Sequence, residues 1–302
     1  ASLFARSRRA FFRSRQIPSA ALSAFLRTKK ESLSPLSERA DFSAVAVRIP
    51  LVTQRQRGSA MTGLPSHGNG RASGACPCPA LPAPLRGLKM NDYIARLREK
   101  YDDHFGCAPS IVLDCRDFWR HCVAAPEMAV FGYRLESSRR PHHVVITAGM
   151  SQARMHFAPY MGSARWSSEL ICYLDVLGGE DLRHLQWLAG LPFHERLALG
   201  HGHSVAFGFP LYEHSLLRHF LLLPTPLGED AALFDGFDLS AHPVDLLWVV
   251  PLTEQEYQVK VNKHLEGIAE VLNDAGHPLS LDRHRHCYVT GQRPEGFERI
   301  LH

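Results

Sequence analysis

The chain has 302 residues, 45% of them hydrophobic and 21% charged, a globular composition that excludes collagen-like and wholly low-complexity polymers. The net charge of +4 hides a split. Residues 1–89 carry 15 Lys and Arg against 3 Asp and Glu, a net of +12, and residues 90–302 carry 19 against 27, a net of −8. The longest apolar runs, such as FLLLP and DLLWVVP, fall far short of the roughly 20 residues a membrane-crossing helix needs, so no membrane partner is expected.

Residues 1–89 are rich in Ser, Arg, Gly, Pro and Ala, as in ARSRRAFFRSR and GLPSHGNGRASGACPCPALPAPLRG, and lack sustained apolar periodicity. Such a segment buries too little apolar surface to offset its ordering entropy, so a disordered basic tail is expected. Three readings compete for it: an arm for nucleic acid or membrane, an Arg-rich and Ser-rich transit peptide, or translated sequence upstream of a start at Met90. The third is favoured, because the chain opens on Ala and organised sequence begins at Met90. The seven cysteines, at 76, 78, 107, 115, 122, 172 and 287, form no C-x-x-C pair. Their odd number and scatter point to reduced thiols and a cytoplasmic setting.

The organised part, 90–302, opens with MNDYIARLREKYDDHFG. Asn91 is placed to cap a helix, Ile94, Leu97 and Tyr101 share one face, and Gly106 is placed to end it. EMAVFGYRL and HHVVIT read as strands, and SSELICYLDVL as a third in which Ile171, Tyr173 and Val176 are the strand formers. A helix follows over GGEDLRHLQWLAGLP, with Glu180 and Asp181 at its N-terminus, Leu182, Leu185 and Ala189 on one face, and Pro192 interrupting it. Residues 200–214 read as irregular. LRHFLLLP and PVDLLWVVP suit buried strands, with buried helix segments as the alternative. The clearest helix is TEQEYQVKVNKHLEGIAEVLNDAG. Thr253 and Glu256 make a capping box, Tyr257, Val261, Leu265, Ile268 and Leu272 make an apolar stripe, and Gly276 stops it. Helix, strands, helix, strands, helix without a regular βαβ repeat gives an α+β domain, a mixed β-sheet with packed helices.

The chemistry-bearing motifs are weak. Histidines crowd in GHGHS, PHH and RHRHC, but neither H-E-x-x-H nor zinc-ribbon spacing occurs, so no metal and no cofactor are expected. GMSQA at 149–153 is half of a G-x-S-x-G elbow, with Ala153 in place of the second glycine and no clean helix after it. A serine hydrolase using Ser151 is therefore an alternative, as is nucleic-acid binding through the basic tail. VLGGEDL offers two glycines before a helix, but the acids that follow would repel phosphate.

Taken in order, VVITAGMSQARM, SSELICYLDV, LQWLAGL, LALGHGHSV, FLLLPTPL, LLWVVPLTEQEYQVK and HPLSLDRHRHCYV resemble the suppressor-of-fused domain family over most of 125–290. The family usually carries Arg-Ala where this chain has Ser167 and Ser168. The residues that carry the resemblance are Gly149, Met150, Ser151, Glu169, Gly200, His201, Asp282 and Arg283. The resemblance implies a suppressor-of-fused-like domain, 90–302, that binds protein and is not an enzyme. Animal members close two domains around an extended peptide that adds as a β-strand. The resemblance covers the first of those domains, so the expectation is a domain that binds without the family's two-domain clamp. Stand-alone bacterial members look like immunity proteins that neutralise toxins. A net of −8 suits a basic protein partner. The expected contact zone is 200–214, with His201, His203, Phe207, Phe209 and Tyr212 as contacts. The alternative is that these aromatics close the core beneath the loop.

Overall fold

The computed structural model describes residues 46–47, 92–122, 125–136, 140–153, 155, 167–237 and 243–294. In chain order the elements are β1 (Ala46–Val47), α1 (Asp92–Phe105), β2 (Ile111–Asp114), α2 (Arg116–Trp119), β3 (Ala129–Arg134), β4 (His143–Ala148) and a 3-10 turn at Met150–Gln152. Then come β5 (Ser167–Leu174), α3 (Gly179–His194), β6 (Ser204–Ala206), β7 (Leu217–Pro224), α4 (Gly228–Ala231), a 3-10 turn at Ala232–Phe234, β8 (Val244–Thr253) and α5 (Glu254–Asp274). One mixed sheet runs in the order β1-β6-β7-β8-β5-β4-β3-β2. β5 and β8 are parallel, as are β1 and β6; the other pairs are antiparallel. The α+β expectation is met.

Both faces of the sheet are covered, and strand alternation sorts the side chains. Val130, Val145, Leu170, Cys172, Phe220, Leu222, Leu247 and Val249 pack with Leu182, Leu185, Leu188 and Leu191 of α3. Their neighbours Phe131, Ile146, Ile171, Tyr173, Leu221, Leu223, Trp248 and Val250 pack with α1 and α5 through Leu97, Tyr101, Ile268 and Leu272. Burial on both faces explains why the strands read as unbroken apolar runs. It also settles LRHFLLLP and PVDLLWVVP as strands.

Several local expectations are corrected. β5 stops at Leu174, and Val176 lies beyond it, 66% exposed. Pro192 does not interrupt α3, which continues to His194. A proline in the last turn forfeits few intrahelical bonds, because little helix remains to be broken. The stretch 200–214 is not wholly irregular, since it contains β6. α5 carries a non-helical residue, His264 (φ 58°), at a kink, and Val261, expected in the apolar stripe, is 37% exposed. Asn91 lies outside the described residues. So does all of 1–89 except Ala46–Val47, which form a strand.

Candidate functional site

The Gly149-Met150-Ser151 loop is a cradle for one carboxylate. Glu169, on β5, is fully buried. Its Oε1 accepts from the Gly149 amide (2.9 Å), the Ser151 amide (3.0 Å) and the Ser151 hydroxyl (2.6 Å), and its Oε2 accepts from Thr147 Oγ1 (2.6 Å). Burial raises the Glu169 carboxyl above its ordinary value, and the serine, threonine and amide donors pull it back. Gly149 has φ 109°, and a Cβ there would stand 2.3 Å from the Glu127 carbonyl, so only glycine fits. Met150 is fully buried in the core beside α3. Ser151 is 4% exposed, and its hydroxyl also shares a hydrogen bond with Tyr93. Among the described residues its hydroxyl meets a carboxylate and a phenol.

Three further buried acids are matched. Glu256, at the start of α5, takes both terminal nitrogens of Arg285 (2.6 Å each) and the Tyr288 and Thr253 amides (2.9 Å each). Burial works to raise its carboxyl, but Arg285 prevails and holds it below the usual range. Arg285 also donates to the Pro251 carbonyl (2.8 Å), and its guanidinium lies 4.2 Å from the centre of the Tyr288 ring. Asp181, in the first turn of α3, accepts from Arg283, from the Tyr212 hydroxyl (3.0 Å) and from the Gly178 amide (2.8 Å). Asp230, on α4, meets Arg140 (2.8 Å), His104 (2.7 Å) and the Tyr173 hydroxyl (2.6 Å). The sequence places Glu256 as a cap and Asp181 in a first helical turn, but it pairs none of these acids with its basic or phenolic partner. Each partner is 29 or more residues away.

The other expected site residues divide. Tyr212 is 4% exposed and closed into the core against Asp181, and Phe207 packs on Trp187 and Phe220, so these two take the core alternative. Phe209 is 53% exposed. Gly200 is buried, and His201 and His203 are half-buried in the turn that leads into β6. His203 Nδ1 lies 3.0 Å from the Ala198 carbonyl. Arg283 anchors Asp181, whereas the exposed Asp282 caps its own turn by accepting from the His284 amide (3.0 Å). No group of three or more His, Cys, Asp or Glu among the described residues is placed to hold a metal ion.

β6 is the second strand from one end of the sheet. Leu222 N donates to the His203 carbonyl and Phe207 N to the Arg218 carbonyl. Residues 203, 205 and 207 therefore face β7, and the amides and carbonyls of Ser204 and Ala206 point the other way. There Ala46–Val47 pairs in parallel, Ala46 beside Ser204 and Val47 beside Val205.

A helix-covered mixed sheet, braced by buried acid pairs and extended by a short strand at one edge, is an α+β scaffold. The model of the Suppressor of fused protein (SUFU) family matches residues 126–286, and this chain belongs to that family, a family of protein-interaction modules. Among solved structures, a SUFU homolog from Neisseria gonorrhoeae FA 1090 aligns at 23% identity and TM-score 0.49, over 65% of this chain and 97% of its own. The Sufu–Fu complex aligns at 15% and 0.48, over 69% and 95%. Drosophila Suppressor of Fused aligns at 15% and 0.48, over 69% of this chain and 53% of its own length. No curated protein matches the sequence.

Proposed function

We propose that this protein works by accepting an extended segment of a protein partner as an added strand beside β6. The observation that carries the reading is the pairing of Ala46–Val47 with β6, which shows the outward backbone groups of Ser204 and Ala206 engaged by a segment distant in sequence. Main-chain bonds of that kind give affinity, and flanking side chains give selectivity. Phe209 stands exposed three residues past β6 as an anchor, with His201 and His203 at the other end. The net −8 of residues 90–302 favours a basic partner. Neutralisation of a basic toxin is the setting that this charge suits. Cys107, Cys115, Cys122, Cys172 and Cys287 are free thiols, which suits a reducing cytoplasm.

Selection of a random peptide library on the full chain tests the reading. Ala206→Pro removes an outward amide and spares the β6–β7 ladder, so it should abolish binding of the selected peptides with little change in melting temperature. Association should also slow as salt rises. Peptides that bind the proline variant equally well, or a library that yields none, would overturn the reading. The toxin setting is tested by whether this chain restores growth to cells producing a basic toxin encoded beside its gene.

A further inference from the structure

The strand beside β6 comes from the chain's own basic part. β1 is the last strand of the sheet, and it pairs over two residues, Ala46 beside Ser204 and Val47 beside Val205. In a parallel ladder a residue bonds to the two residues that flank its opposite number, so the amide and carbonyl of Val47 meet Ser204 and Ala206. Those are the outward groups that an accepted partner strand would use. Edge groups of this kind are a liability when left open, and proteins commonly cover them.

The sequence around β1 suits the position. In SAVAVRIP, residues 43–50, the β-branched Val45, Val47 and Ile49 alternate with Ala44, Ala46 and Arg48, which is the period of a strand. Pro50 has no amide to donate and so stops further pairing. Residues 1–89 carry a net +12 and residues 90–302 a net −8, so the charge that favours a basic partner favours this segment equally. Being on the same chain, the segment meets β6 at an effective concentration on the order of a millimolar or less, which a free partner must overcome. The hold is short enough to be reversed. β6 has three residues and β1 covers two of them, whereas a strand that pairs along all of β6 gains further main-chain bonds.

We infer that residues 43–50 are a built-in competitor for the β6 edge. They hold the outward groups of Ser204 and Ala206 in the resting chain, and a partner strand binds by displacing them. The inference rests on the strand-acceptor reading and adds how that edge is regulated. It also gives a use to a basic segment that lies outside the family match at 126–286.

The test uses the full chain and the peptides selected from the library. Val47→Pro removes the amide that pairs with Ser204 and leaves residues 90–302 unaltered. A competitor paired about nine-tenths of the time lowers apparent affinity about tenfold, so Val47→Pro should tighten peptide binding by about that factor. Amide exchange of Ser204 and Ala206, followed by NMR without peptide, should speed by a similar factor. A synthetic peptide of residues 43–50 should displace the selected peptides from the Val47→Pro chain, and a scrambled version should not. Peptides that bind the wild type and Val47→Pro equally well, or a 43–50 peptide that displaces nothing, overturn the competitor. Ala206→Pro tells this failure from that of the acceptor. If it abolishes peptide binding while Val47→Pro changes nothing, the competitor alone is wrong; if binding survives it, the strand-acceptor reading itself fails.

Discussion

The buried acids at the centre of the sheet and the buried neutral polar groups at its β6 end are matched to different degrees. Around β4, β5 and β8, four acids that are at most 1% exposed have a donor on every carboxylate oxygen. Beside β6, the Ser204 hydroxyl oxygen and the Nδ1 of His219 are buried without hydrogen-bond partners among the described residues. A chain able to match four buried acids is not short of donors and acceptors. The two unmatched atoms lie near the edge at which we propose that a partner strand adds.

The largest break in this contrast comes from unmatching the centre. Arg285→Met strands Glu256 in the core and should cost about 3–5 kcal/mol in urea unfolding. The double variant Glu256→Leu, Arg285→Met should recover most of that loss. Recovery would show that the centre needs matching rather than charge. Glu169→Gln keeps the shape but turns an amide NH2 toward hydroxyl and backbone N–H groups that donate to the carboxylate. It should cost about 2–3 kcal/mol by the same measurement. A smaller effect tests a buried base. His184 packs against Phe207, Tyr212 and Phe220, and burial pushes its imidazole down to about 4. Its folded value lies below its unfolded value, so the unfolded chain takes up the proton first. The neutral ring's contribution is whole above about pH 6.5 and is lost as pH falls toward about 4. His184→Phe should remove roughly 1–2 kcal/mol of that acid-side loss, seen as a flatter curve of stability against pH. The smallest effect belongs to the surface. Arg98 and Asp102, one helical turn apart and partly exposed, should lose less than about 0.5 kcal/mol on Arg98→Ala.

How much of this could be read from sequence follows from range. β3, β4, β5, β7 and β8 were legible because burial on both faces leaves apolar runs, and α5 because Thr253 and Glu256 lie within one turn. β2 and β6, of four and three residues, are too short to show alternation. Gly149 was legible because a glycine directly after a strand marks a turn that other residues resist. The use of Ser151 was not, because its meaning depends on Glu169, 18 residues on. Glu256 was read as a cap, with nothing local to say that it also holds Arg285. Whether Tyr212 anchors a partner or closes the core stayed open in the sequence, because Asp181, which meets its hydroxyl, lies 31 residues upstream on another element.

The Arg283 and Arg285 contacts carry a consequence for synthesis. Asp181 and Glu256 leave the ribosome before the arginines that neutralise them, Asp181 by 102 residues. Until translation passes residue 285, the start of α3 and the start of α5 each present a carboxylate that cannot be sealed away from water. The sheet can assemble in the meantime, but both helices have reason to stay loosely docked. The nascent domain is therefore expected to remain open to chaperones and proteases along those two helices, and to close in a single late step once the two arginines emerge.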